Sequence, residues 1–221
     1  MRQRGRMKIR EQLEKQTGLV ILNPKDYRGR WSGYFGNDHP IYVELGMGKG
    51  KFISEMSVRY PEINFIGIDM FDSLIRTAGD KARSSGNTLE PPPNLALVLF
   101  NIQLIEEIFA PREVSRIFLN FSDPWPKERH ARRRLTHVLF VQKYREILAV
   151  SGEIHLKTDS RPLFEYSLGT FQTLGLQVSE ITYDLHGSGS TADNIMTEYE
   201  SKFVHRGLPI FRCEITESSA E

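Results

Sequence analysis

The chain reads as an α/β protein built on a doubly wound, mostly parallel sheet, and three observations lead there. Short apolar strand patterns recur from Ile41 onward and are separated by helical patterns of about 10–15 residues, the texture of a parallel sheet with crossover helices. The first strand runs into a glycine turn, Gly46-Met47-Gly48-Lys49-Gly50, and the second ends on an acidic residue, Asp69. In order, Ile41 to Leu45 is a strand, and Lys51 to Tyr60 is a helix with Phe52, Ile53 and Met56 at helical spacing, stopped by Pro61. Asn64 to Ile68 is the second strand and Phe71 to Arg83 a helix, and Pro91-Pro92-Pro93 feeds strand Leu95 to Phe100. Arg116 to Asn120 is strand four, Thr136 to Val150 an amphipathic helix, and Glu153 to Lys157 strand five. Asp159 or Ser160 caps the next helix, with Pro162 in its first turn. Gln177 to Tyr183 and roughly Ser201 to Ile215 complete seven strands.

Residues 1–38 are polar and basic, with turn formers at Asn23-Pro24 and Gly29. They read as a partly irregular arm, with a short helix near Arg10 to Gln16, ahead of a single domain over 39–221. The 221 residues carry 39% hydrophobic and 26% charged side chains, too apolar for a disordered chain. The longest apolar run, Leu95 to Phe100, is far short of the ~20 residues that span a bilayer, and no secretory leader pattern opens the chain. Cys213 is the only cysteine, which excludes an internal disulfide and a multi-cysteine zinc site and fits a reduced, cytoplasmic protein. The six histidines fall at no metal-ligand spacing, so no metal is expected. Net charge is +1, from 29 basic and 28 acidic residues, but it is unevenly spread. Arg2, Arg4, Arg6, Lys8 and Arg10 alternate at the start, and Lys127, Arg129, Arg132, Arg133 and Arg134 form a second island. Two basic islands on a balanced background suggest a polyanion touched at defined places.

The glycine turn departs from the dinucleotide pattern G-x-G-x-x-G. Its spacing is G-x-G-x-G, Lys51 stands where the third glycine should be, and Glu44 lies two positions before Gly46. A carboxylate there suits a cationic amino-acid ligand better than a pyrophosphate. Asp69, at the end of strand two, can accept both hydroxyls of a ribose. S-adenosylmethionine offers an ammonium, a sulfonium and an adenosine ribose without phosphate, so the turn favours a methyl donor over a dinucleotide. Asn101, after strand three, is a turn residue that could also meet adenine.

The stretch Asn120-Phe121-Ser122-Asp123-Pro124-Trp125-Pro126-Lys127 follows strand four, stiffened by two prolines around a tryptophan, and the second basic island follows it. Across Val43 to Phe52, Ile66 to Met70, Leu119 to His137, Gly152 to Leu168 and Asn194 to Phe203, with this stretch and Met196-Thr197-Glu198-Tyr199-Glu200 the most specific parts, the chain resembles the bacterial tRNA (guanine-N7)-methyltransferases, which modify guanine 46 of the variable loop. The resemblance covers most of the chain. It implies a seven-stranded sheet of the S-adenosylmethionine-dependent methyltransferase type with the last strand antiparallel. It further implies S-adenosylmethionine contacts at Glu44, Asp69, Asn101 and Asp123 around Gly46, Gly48 and Gly50, with Asp123 also the catalytic candidate. Many relatives carry Asp where this chain has Asn101, which keeps an amide contact but loses a charge. Lys127, Asp159, Thr197, Glu198, Tyr199 and Glu200 match substrate-contacting positions. Arg129, His130, Ala131, Arg132, Arg133 and Arg134 match a segment assigned to RNA. The implied partner is tRNA, bound by a monomer or weak homodimer in the cytoplasm.

The chemistry asks little of the residues. Guanine N7 already carries a lone pair, so neither a general base nor a metal has to create the nucleophile, and placement of the reactants is the main task. A carboxylate can accept N1–H and the N2 amine of guanine together. Asp123, Asp159 and Glu200 are the three candidates. Glu198 and Glu200 are expected on one face of a strand start, with Tyr199 turned to the core. The rival readings are a methyltransferase of proteins or metabolites, a non-catalytic RNA-binding module and, third, a nicotinamide enzyme.

Overall fold

A computed structural model describes residues 3–16, 18–85, 90–187, 189 and 194–218, the side chains of residues 3–8 excepted. Among them eight strands form one sheet: β1 (Val20–Ile21), β2 (Ile41–Leu45), β3 (Asn64–Asp69), β4 (Leu95–Leu99), β5 (Val114–Asn120), β6 (Leu148–Thr158), β7 (Gln177–Thr182) and β8 (Phe211–Thr216). Their order is β1-β4-β3-β2-β5-β6-β8-β7. The pairings from β1 through β6 are parallel, and β8 lies antiparallel to both β6 and β7. The helices are α1 (Gln3–Glu14), α2 (Trp31–Phe35), α3 (Lys51–Arg59), α4 (Asp72–Ser85), α5 (Val138–Ile147), α6 (Arg161–Thr173) and α7 (Glu198–Val204).

The strands at the centre are apolar because both of their faces are covered. All six residues of β3 are buried. Alternate residues feed two cores: Ile66, Ile68, Ala96 and Val98 pack with Trp31, Phe140, Tyr144 and Phe164, while Phe65, Leu95 and Leu97 pack with Leu13, Phe52, Ile53, Ile75 and Ala78. Thus α2, α5 and α6 cover one face and α1, α3 and α4 the other. The chain order reverses at β2, which has β3 on one side and β5 on the other. The loops leaving β2 and β5 therefore diverge at one end of the sheet, where open α/β sheets hold their ligands.

Three sequence expectations change. The sheet has eight strands, not seven, because β1 adds two residues beside β4; Leu97 N–H donates to Leu19 O at 2.8 Å. The segment read as an arm is tied into the fold. Helix α1 begins well before Arg10, Leu13, Leu19 and Trp31 are fully buried, and the Trp31 indole donates to Ile108 O at 2.8 Å. Arg2 and the side chains of Arg4, Arg6 and Lys8 lie outside the described residues.

The third change is at the C-terminus, where the long strand expected from Ser201 divides into α7 and β8. Thr197 caps α7: its hydroxyl accepts from Glu200 N–H at 2.9 Å, and the Glu200 carboxylate accepts from Thr197 N–H at 3.3 Å. Such a reciprocal box satisfies two amides that a helix start leaves free, which makes helix the better local choice. Tyr199 consequently points outward, 61% exposed, rather than into the core. Of the two cap candidates before α6, Ser160 serves, accepting from Leu163 N–H at 3.3 Å. Asp159 is left exposed beside it.

Candidate functional site

At the reversal point, β2 delivers Glu44 and the glycine turn. Gly46 N–H continues the strand pairing by donating to Ile68 O at 2.9 Å. Gly48 (φ 57°) and Gly50 (φ 74°) adopt a backbone that L side chains avoid. A Cβ on Gly50 would also stand 2.5 Å from the Ala78 Cβ, so this glycine lets α3 start against α4. Asp69, at the end of β3, accepts from Gly48 N–H and Phe71 N–H, each at 3.1 Å and each on a different oxygen. A carboxylate oxygen has more than one acceptor position, so capacity remains for a pair of hydroxyls. Burial raises the Asp69 pKa, the backbone donors oppose that rise, and the charge of Asp123 adds to it. The charge of Asp123 thus reaches Asp69 at the same end of the sheet.

Glu44 is the most deeply placed acid of this group, 2% exposed. Its Oε1 accepts from Asn120 Nδ2 at 3.0 Å, whereas Oε2 is buried with no hydrogen-bond partner. Burial pushes its pKa up to about 7, against the lowering effects of Asn120 and Lys157. A buried acceptor lacking a donor costs free energy and is a standing invitation to a cation. The ammonium of S-adenosylmethionine fits that demand, and the ribose-type acceptor at Asp69 fits its nucleoside. Glu44, Gly46, Gly48, Gly50 and Asn120 line a cavity of about 190 Å³ that Phe121, Thr197, Glu198 and Tyr199 close from the far side.

The wall made by β5 and α7 is aromatic and ionic. Phe121 (φ 51°) stacks on Tyr199 and Phe203, with centroids 6.5 and 6.3 Å apart. Lys51 reaches from α3 to Met196 O at 3.0 Å, and Lys81 from α4 pairs with Glu198. Burial works to raise the Glu198 pKa, but Lys81, Lys49 and Lys202 bring it below the usual range. Beneath α7, the buried Lys157 Nζ donates to Glu200 Oε2 (2.8 Å), Asn194 Oδ1 (3.1 Å) and Ile195 O (3.1 Å). Glu200, wholly buried, also takes His186 (3.0 Å) and Asn194 Nδ2 (2.6 Å) on Oε1. Behind Phe52, a wider groove of about 690 Å³ crosses the sheet face past Tyr42, Phe118 and His155.

The structure brings Glu44, Gly46, Gly48, Gly50, Thr197, Glu198 and Tyr199 to one cavity. Asp123 is exposed on the adjoining loop, and Asp159 and Asn101 are exposed past the ends of β6 and β4. Asn101 Oδ1 accepts from Gln103 N–H at 3.0 Å, so its turn role is realised. Lys127 precedes a short 3-10 helix over Glu128–Arg133 on which Arg129, Arg132 and Arg133 are exposed. Glu200 departs from expectation: its two oxygens are engaged internally, which removes it from the three acids considered for gripping guanine. Lys157 and Asn120 were not anticipated. The available signal was a lysine and an asparagine at the C-terminal ends of inner strands, where polar side chains face the ligand edge. Among the described residues no three His, Cys, Asp or Glu side chains converge as metal ligands.

A doubly wound sheet with an acid-lined glycine turn at its reversal point defines a nucleoside-ligand enzyme class, and comparison specifies it. A family model described as a putative methyltransferase matches residues 38–213. Solved structures share the fold: the 16S rRNA methyltransferase KamB superposes with a TM-score of 0.63 at 11% identity, over 86% of this chain and 93% of that one. A 16S rRNA (adenine(1408)-N(1))-methyltransferase with cosubstrate SAM from Catenulisporales acidiphilia gives 0.59 at 13% identity, over 90% and 93%. The chain is thus a methyltransferase. The tRNA (guanine-N(7)-)-methyltransferase of Bacillus subtilis strain 168 is 46% identical over 97% of this chain and 98% of its own. That of Streptococcus sanguinis strain SK36 is 47% identical over the same shares. The chain belongs to the tRNA (guanine-N(7)-)-methyltransferase family.

Proposed function

We propose that this protein transfers the methyl group of S-adenosyl-L-methionine to N7 of guanine 46 in the tRNA variable loop. The observation that carries the proposal is the convergence of two sets of residues on one cavity. The Glu44–Gly50 turn suits the donor, and the Thr197–Tyr199 turn with Phe121 suits a base. When bound, S-adenosylmethionine supplies an electrophilic sulfonium methyl. In this reading Glu44 holds its ammonium, Asp69 its ribose, and Asn101 meets its adenine. The N7 lone pair needs no base to free it, so the protein's contribution is alignment, which can be worth ~7–11 kcal/mol.

Asp123 or Asp159 accepts the N1–H and N2 amine of the guanine, turning N7 toward the methyl. Asp123 is our choice of catalytic residue, since it is exposed on the loop that leaves β5 directly after Asn120 and Phe121, which line the cavity. Tyr199 and Phe121 offer a stacking surface for a base drawn out of the tRNA core, a step that costs a few kcal/mol. Lys127 and the exposed Arg129, Arg132 and Arg133 meet phosphates, with His130 and Ala131 within the same turn. We read the protein as a cytoplasmic monomer or weak homodimer; no helix of the described residues is long and apolar enough to cross a membrane.

The test is incubation with methyl-labelled S-adenosylmethionine and an unmodified tRNA transcript, followed by cleavage selective for N7-methylguanine. Label at the variable-loop guanine, lost when adenine replaces that base, is expected. Label elsewhere in the tRNA, or only on protein or small molecules, would overturn the assignment.

A further inference from the structure

The basic island after β5 contains one arginine that behaves unlike its neighbours. Arg129 and Arg132 are exposed, and no acidic side chain pairs with them among the described residues. Arg134 is half-buried. Its Nε donates to Pro124 O (3.2 Å) and Trp125 O (3.3 Å), and its Nη2 donates to Trp125 O at 3.0 Å. The guanidinium carbon lies over the Tyr166 ring on α6, 4.2 Å from its centroid. A planar fork spanning two successive carbonyls while stacked on an aromatic ring is an arrangement that arginine makes and lysine does not.

The loop it grips is one that cannot hold itself. Pro124 and Pro126 have no N–H to donate to a turn hydrogen bond. Phe121 (φ 51°) and Trp125 (φ 40°) occupy the left-handed region without being glycine, a conformation that persists only where surroundings enforce it. For Trp125 those surroundings are Arg134 on its carbonyl, Arg133 at 4.8 Å over its ring and His130 edge-on at 5.7 Å. Asp123 lies between the two strained residues.

We infer that Arg134 is a positioning residue: it locks the Pro124–Trp125 backbone, and thereby the placement of Asp123, instead of binding tRNA phosphate. This deepens the proposed function and rests on it for its catalytic consequence. The geometric part is independent, because Trp125 reports on the loop directly. The chain has two tryptophans, and Trp31 is fully buried, so a polar quencher of fluorescence reads Trp125.

The experiment compares Arg134→Ala, Arg134→Lys and Arg132→Ala in the full chain. It measures kcat at saturating tRNA and donor, the dependence of log(kcat/KM) on log salt, and acrylamide quenching of tryptophan. Both Arg134 variants should lose kcat by about 10- to 100-fold, since small misplacements at a reacting centre carry penalties of that order. Their salt slope should match wild type, and their quenching should rise. Arg132→Ala, at a residue proposed to meet phosphate, should lose roughly one unit of salt slope without the rise in quenching. Arg134→Lys retains the charge, so it separates clamping from phosphate binding even where Arg134→Ala unfolds. Retained kcat with a slope reduced by roughly one in Arg134→Ala would overturn the inference. Unchanged kcat and quenching in Arg134→Lys would overturn it too. If wild type transfers no methyl to tRNA, the functional reading fails, while the quenching comparison still decides the clamp.

Discussion

Glu44 is a carboxylate kept out of water with one oxygen unserved, and its proton affinity follows. With its pKa raised to about 7, the folded protein holds a proton there that the unfolded chain releases near the ordinary carboxylate value. Its contribution to stability is complete below the unfolded pKa and is lost as pH rises through about 7. A bound ammonium reverses that preference, so donor binding should expel a proton below this pKa. We expect donor affinity to rise from about pH 6 to a plateau near pH 8, with proton release seen calorimetrically in buffers of different ionisation enthalpy. Glu44→Gln should bind more weakly and release no proton. Equal proton release in wild type and variant would show that another group titrates.

Lys157 carries a second prediction. Burial lowers its pKa, while Glu200 and Glu44 oppose that shift. Lys157→Met strands Glu200 in the interior, which should cost about 3–5 kcal/mol in denaturant unfolding. It should also move the pH midpoint of donor binding upward by removing a cation that holds the Glu44 pKa down. A variant with wild-type stability and midpoint would show that the pair is not coupled to the cavity. Glu44 and Asp69 are legible in the sequence because strand-end acids beside a glycine turn have few other uses. Lys157 is not legible, since a lysine in a strand ordinarily reads as solvent-facing and only the assembled sheet reveals α7 above it.

Among the elements, α7 is the one whose existence depends most on its ends. Seven residues are too few to form a helix unaided, so the capping box, the buried Glu200 and the Phe121–Phe203 stack must hold it. Thr197→Ala should lower stability by about 1 kcal/mol. It should raise KM for tRNA more than KM for the donor if, as proposed, the first turn of α7 faces the base. Thr197→Ser should restore both, and equal effects on the two KM values would contradict that placement. The pattern Thr197-x-x-Glu200 was readable as a capping box. The run of mixed apolar residues after it reads equally well as strand, and only packing on Phe121 and Lys157 decides between them. Strand β1 is hidden for a related reason: two residues carry no periodicity, and they become a strand through β4.

Across the whole molecule, the near-neutral sum of charge conceals a basic turn beside the cavity. Arg129 and Arg132 face solvent there, and combined replacement of both by alanine should cut the salt slope of kcat/KM by about two while leaving donor affinity intact. An unchanged slope would move the phosphate contacts elsewhere. The methyl acceptor is N7 of a tRNA guanine, an assignment that one substrate atom decides. Its most direct test is methyl transfer to two transcripts of one tRNA, one made with guanosine and one with 7-deazaguanosine, in which a carbon replaces N7. Both transcripts should bind comparably, and only the guanosine transcript should be labelled. Label in the 7-deazaguanosine transcript would contradict the assignment.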